Sequence, residues 1–126
     1  MSLIIVADDD PVFCKLVADT LEAAGHIVGS VADRPSAVRS ISLKLPDVAI
    51  LDVNMPGAPG VEVVRQLRLS SYAYDVPLII MTTRTSERDS EIAVRAGADE
   101  YLRKPLDPEL LLASVERQLS GRKRFL

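Results

Sequence analysis

Three apolar runs of this sequence stop abruptly at polar side chains, Leu3 to Ala7 at Asp8 and Asp9, Val48 to Leu51 at Asp52 and Leu78 to Met81 at Thr82, and the short, mixed Tyr101-Leu102-Arg103 segment leads into Lys104. Carboxylates gathered in one place repel. Two unit charges about 4 Å apart cost roughly 1 kcal/mol in water and about 4 at an effective dielectric near 20, so three clustered acids need cations. Magnesium suits hard oxygen ligands and a site that keeps waters for a phosphate, and manganese could substitute for it. Three carboxylates, one divalent ion and the Lys104 ammonium sum to zero, a balance that a phosphate anion can approach. A carboxylate can itself attack phosphorus to give an acyl phosphate when cations neutralise the transferred group. Asp52 is the best candidate for that nucleophile, because it stands alone at a strand end while Asp8 and Asp9 are paired in the manner of metal ligands. The added phosphoryl charge would draw in the Thr82 hydroxyl, leaving room for the Tyr101 ring to turn inward.

Positioning these side chains takes strands that end on a common edge. The runs are continuously apolar without alternation, as expected of parallel strands covered on both faces. After Asp8 and Asp9, Asp10 is placed to cap a helix with Pro11 in its first turn, and Val12, Leu16, Val17 and Leu21 recur at helical spacing until Gly25. The same alternation continues with a strand from His26 to Val31, a helix near Ser36 to Leu43, the Val48 strand, and a helix through Val61, Val64 and Leu67. It ends with the Leu78 strand, a helix from about Ser86 to Gly97, the Tyr101 strand, and a helix bearing Leu110, Leu111, Leu112, Val115 and Leu119. Five strands alternating with five helices predict an α/β fold, a doubly wound parallel sheet with helices on both faces. His26, Gly29 and Ser30 make the second strand polar; Asp99, Glu100 and Arg103 do the same for the fifth. Both belong at edges, which the flavodoxin-like order 2-1-3-4-5 provides, and such sheets bind ligands beyond the strand C-termini.

A chain of 126 residues fits one domain, drawn at 1–120, with 121–126, including Arg122, Lys123 and Arg124, as a tail or linker stub. The net charge of −3, from 15 basic and 18 acidic side chains, gives no broad positive field, so direct nucleic-acid binding is not expected. No apolar run nears the roughly 20 residues that cross a bilayer. The single cysteine, Cys14, cannot form an internal disulfide and points to a reducing cytoplasm, where it reads as a buried helix residue. Asp10 reads as a cap and His26, after Gly25, as a surface residue.

The segments Ile4-Ile5-Val6-Ala7-Asp8-Asp9-Asp10-Pro11, Leu51-Asp52-Val53-Asn54-Met55-Pro56-Gly57, Met81-Thr82-Thr83 and Leu102-Arg103-Lys104-Pro105 resemble, in order and spacing, the receiver domains of response regulators. The resemblance covers essentially the whole chain. It implies that Asp52 is the phosphoacceptor and that magnesium is held by Asp9 directly, Asp8 through water, one oxygen of Asp52 and the backbone carbonyl of Asn54. It implies further that Lys104 pairs with the phosphoryl group and is followed by a cis bond to Pro105, and that Tyr101 is the aromatic switch residue. Thr83, bulkier than the small residue the family uses there, would slow access to the site. The implied donor is a sensor histidine kinase, a phosphotransfer protein or a small phosphodonor. The domain would catalyse its own phosphorylation and dephosphorylation and turn over no external substrate. The fourth helix, fifth strand and fifth helix would then face a partner or a second copy. Two rival readings remain at this point. A haloacid-dehalogenase-like phosphohydrolase would use Asp8 as nucleophile and Asp10 as general acid, with Asp52 on the metal. A phosphorylation-independent interaction module would be marked by a missing acidic pair, threonine or lysine, and none is missing.

Overall fold

The structure, a computed structural model, describes residues 1–52, 60–82 and 87–123. Strands β1 (Leu3–Ala7), β2 (Ile27–Val31), β3 (Val48–Asp52), β4 (Leu78–Thr82) and β5 (Glu100–Arg103) alternate with helices α1 (Pro11–Ala23), α2 (Arg34–Lys44), α3 (Gly60–Arg68), α4 (Glu87–Ala96) and α5 (Pro108–Lys123). All strand pairs are parallel and the order is β2-β1-β3-β4-β5, so the two polar strands lie at the edges as the sequence requires.

Alternating strand side chains feed two apolar layers. Ile5, Ala7, Ala49, Leu51, Leu78 and Ile80 pack against α2, α3 and α4, whereas Ile4, Val6, Val48, Ile50, Ile79 and Met81 pack against α1 and α5. Every residue of β3 and β4 is buried, including the terminal Asp52 and Thr82. Register then fixes the functional edge: Ala7 lies opposite Leu51, Asp52 opposite Met81, and Thr82 opposite Arg103. Asp8, Asp52, Thr82 and Lys104 therefore leave the sheet on one edge, within two residues of a common level.

Several local expectations shift. Helix α1 buries the stripe Phe13, Val17 and Leu21, while Val12 is 77% exposed and Leu16 also faces solvent. The stripe at i, i+4 and i+8 wins because it points at the sheet; Val12 and Leu16 sit one residue earlier, about 100° around the helix. Cys14 is half-buried. Helix α2 starts at Arg34, earlier than Ser36, because the Asp33 carboxylate accepts the Ser36 amide at 2.9 Å as its cap. Helix α5 buries Leu111, Val115 and Leu119 and continues through Lys123. His26 is not a surface group: its side chain is only 8% exposed, with Nε2 3.2 Å from Glu116 Oε1 on α5. The ring folds under α5, a contact across 90 residues that Gly25 alone does not foretell.

Two polar networks hold the strands that carry Thr82 and Lys104. Arg68, at the end of α3, donates to the carbonyls of Gly97, Tyr74 and Val76 and to Asp99 Oδ2, all between 2.8 and 2.9 Å, and Asp99 in turn accepts the Leu78 amide at the start of β4. Gly97, at φ 127°, leaves room for this guanidinium stem, since a Cβ there would lie 2.8 Å from Arg68 Cγ. On the opposite face of the sheet, Glu100 ties β5 to α5, accepting from Ser114 Oγ at 3.0 Å, from Arg117 Nη2 at 2.6 Å and from Gln118 Nε2. Burial alone would push the Glu100 carboxyl up, but hydrogen bonds from Arg117, Gln118 and Ser114, helped by the Arg117 charge, outweigh it and hold the group below its ordinary 4.5. The stabilisation is thus complete above that ordinary value and is lost as the pH falls through the lower folded one. Glu100→Gln is expected to lower stability by about 1 kcal/mol at neutral pH, and urea titrations should show the two proteins converging as the pH falls below the ordinary 4.5 and through the lower folded value.

Candidate functional site

Asp8 follows the last residue of β1 and is 2% exposed. Its Oδ1 accepts the Asp10 amide at 2.9 Å, and its Oδ2 accepts the Lys104 ammonium at 2.7 Å. Asp52, 8% exposed, ends β3 with Oδ2 3.6 Å from the same ammonium. Asp9 is exposed at the rim, yet its carboxylate reaches inward. Oxygen atoms of Asp8, Asp9 and Asp52 lie within 4.8 Å of one another. Thr82 is buried at the end of β4, and its carbonyl accepts the Lys104 amide at 2.7 Å, which fixes the lysine's backbone beside the acids. The following Lys104–Pro105 peptide bond is cis.

Burial disfavours the Lys104 charge, but the hydrogen bond to Asp8 and the charges of Asp52 and Asp8 outweigh it, holding the ammonium above its ordinary value of 10.5. Lys104 is therefore a fixed cation at neutral pH. Three carboxylates against this one ammonium leave the cluster at −2. Hard oxygen donors, two of them on buried side chains, with a deficit of two positive charges, suit a divalent cation such as magnesium. A cleft of about 540 Å³ bordered by Asp8, Asp9, Pro11, Cys14 and Ser30 opens beside these acids toward solvent.

The neighbours have more limited roles. The Asp10 carboxylate accepts the Val12 amide at 2.9 Å and caps α1, so it is turned to the helix and away from the general-acid role that a dehalogenase-like reading needs. Cys14 Sγ lies 3.4 Å from the Asp8 carbonyl, and burial, followed by the Asp8 and Asp10 charges, pushes its thiol up. It is a poor nucleophile. Tyr101 sits on β5 with its side chain on the solvent side, 44% exposed. Asn54 and Thr83 lie outside the described residues. A residue that the motifs did not single out also enters the site: the Phe13 ring lies under the Lys104 ammonium, which is 4.2 Å from its centroid. Its position in the first turn of a helix that starts at the acid rim was the available signal.

The family model for the response regulator receiver domain matches residues 4–116. Among curated proteins, Protein PilH of Pseudomonas aeruginosa is 35% identical over 121 residues, covering 96% of this chain and all of PilH. The chain spans about half the length of other relatives that it matches, such as the DNA-binding response regulator MtrA of Mycolicibacterium smegmatis, 33% identical over 92% of this chain. Among solved structures, the chemotaxis response regulator CheY4 of Vibrio cholerae superposes with a TM-score of 0.87 at 34% identity, over 94% of this chain and 99% of that one. The receiver domain of the Pseudomonas aeruginosa sensor histidine kinase PA1611, which carries a magnesium ion in its active site cleft, superposes equally well, at 28% identity over 94% and 98% of the two chains. With its sheet order, its acid-lined strand ends and this match along almost its full length, the chain belongs to the response regulator receiver domain family of two-component signalling.

Proposed function

We propose that Asp52 accepts a phosphoryl group from a phosphohistidine of a sensor histidine kinase or a phosphotransfer protein, or from acetyl phosphate, and that the acyl phosphate switches the surface of the domain. The observation that carries this reading is the meeting of Asp8, Asp9 and Asp52 within 4.8 Å beside an ammonium that touches two of them. An Asp52 carboxylate oxygen forms the new bond to phosphorus while the bond from phosphorus to the donor nitrogen or acetate oxygen breaks, the electron pair leaving with the donor. Lys104 is placed to meet the extra negative charge. Magnesium or manganese, held by Asp8, Asp9, Asp52 and the backbone carbonyl of Asn54, would supply charge neutralisation of the phosphoryl oxygens.

The Thr82 hydroxyl, at the end of a buried strand, then moves toward the modified Asp52, and Thr83, by the family resemblance the residue that governs phosphoryl access, would slow that access. Tyr101, now outside, turns toward the space so vacated. Phosphate can only bias an equilibrium by binding one state better, so α4, β5 and α5 shift between two populations and present their surface to a partner or a second copy. Attack by water on the acyl phosphate resets the switch. The lone cysteine supports a reducing cytoplasm as the compartment, and among the described residues no helix is long and apolar enough to cross a membrane.

Incubation with acetyl phosphate is expected to add one phosphoryl group per chain when magnesium is present and none when it is chelated, as read by intact mass. Sustained hydrolysis of a phosphate ester would favour a turnover phosphohydrolase. A mass unchanged under every condition would favour an interaction module that works without phosphate.

A further inference from the structure

We infer that Phe13 is a positioning residue for the reaction, holding the Lys104 ammonium at the acid cluster by the face of its ring. The inference rests on the phosphoacceptor reading above for its consequence, though the contact itself does not depend on it.

Among the described residues, Lys104 Nζ lies 2.7 Å from Asp8 Oδ2, 3.6 Å from Asp52 Oδ2 and 4.2 Å from the Phe13 ring centroid. The first two belong to the carboxylates that a divalent cation and a phosphoryl group also claim, so their hold on the lysine changes as the site is occupied. The ring face is neutral. Its attraction for a cation comes from the ring quadrupole, is strongest where water is excluded, and stays in place however the carboxylates are shared. Phe13 is 8% exposed, and the lysine side chain is also largely covered. Core packing alone would explain a phenylalanine here, since its ring joins Ile4, Val6 and Val17 in one apolar cluster. It does not explain why that ring carries an ammonium on its face. Among the described residues Phe13 is the one buried aromatic; Tyr72, Tyr74 and Tyr101 are all exposed. The helix start serves the same placement: the Asp10 cap and Pro11 fix the first turn of α1, which sets Phe13 directly after the acid rim.

The test keeps ring shape and changes ring charge. The chain has two phenylalanines, so in a Phe125→Leu background mono-, di- and trifluorophenylalanine can be placed at position 13 alone. Two quantities are read: the mobility of the Lys104 ε-methylene by carbon relaxation in metal-free protein, and the second-order rate of phosphorylation by acetyl phosphate with magnesium. Both are expected to change stepwise with each fluorine, mobility rising and the rate falling by roughly three- to tenfold across the series. Phe13→Leu should lie at the weak end and Phe13→Tyr should restore both. A flat response of Lys104 mobility across the series overturns the inference, since a packing role would tolerate fluorine. If the unsubstituted protein takes up no phosphoryl group, the phosphoacceptor reading fails on its own, and the mobility series still decides whether the ring holds the lysine.

Discussion

Replacing Asp52 with asparagine is expected to reduce acid-labile phosphate incorporation from acetyl phosphate and magnesium to background. The amide keeps the shape of the side chain but removes the anionic oxygen that would bond to phosphorus, and neither Asp8 nor Asp9 can stand in. Asp8 has one oxygen on the Asp10 amide and the other on Lys104, and Asp9 sits exposed at the rim. The loss should be chemical and not conformational. Asp52→Asn removes one of three mutually repelling carboxylates, so cooperative melting should persist in metal-free buffer. Labelling of this variant at the wild-type level would count against the assignment of the nucleophile.

The second large effect is expected on stability. Lys104→Met leaves Asp8, almost fully buried, and Asp52 without their common cation. Breaking a buried ion pair by removing one partner is strongly destabilising, here on the order of 3 kcal/mol, or a fall in melting temperature of about 10 °C for a domain of this size. Magnesium should recover part of this, because a ligand that binds only the folded state stabilises it in proportion to its occupancy, and the variant offers an Asp8 oxygen that lysine no longer occupies. The magnesium-induced rise in melting temperature should therefore exceed that of the wild type. The pH dependence has a definite sign: a lysine raised in the fold contributes fully below its ordinary 10.5, and the contribution fades only as the pH climbs through the higher folded value. Wild type and variant should accordingly stay separated across the neutral range. Equal melting temperatures without metal would contradict the buried pair.

How much of this was legible in the chain depends on how local each signal is. The sheet order could be argued because burial on both faces leaves its mark on every residue of a strand: β3 and β4 are solidly apolar, while the polar β2 and β5 are pushed to the edges. The acids were legible for the same reason, since each marks the point where an apolar strand stops, whereas Lys104 follows the polar edge strand β5 and was legible from its place directly after the last strand. Contacts set by tertiary packing were not. In α1, Val12, Leu16 and Val17 offer more apolar residues than one face needs, and only the sheet's position selects the Phe13 stripe. His26 beside Glu116 and Phe13 beneath Lys104 join residues about ninety positions apart. Neither pairing leaves any periodicity in the sequence. Tyr101 was placed correctly on an edge strand, but which side of that strand it occupies follows from the alternation that sends Leu102 inward.

The location of the phosphoryl group decides the account most directly. Protein treated with acetyl phosphate and magnesium can be reduced with borohydride, which converts an aspartyl phosphate to homoserine, and then digested and sequenced by mass spectrometry. The prediction is homoserine at position 52 and at no other aspartate, with none in a chelated control. Homoserine at position 8, or an intact aspartate at position 52 in protein that has demonstrably gained a phosphoryl group, would contradict it.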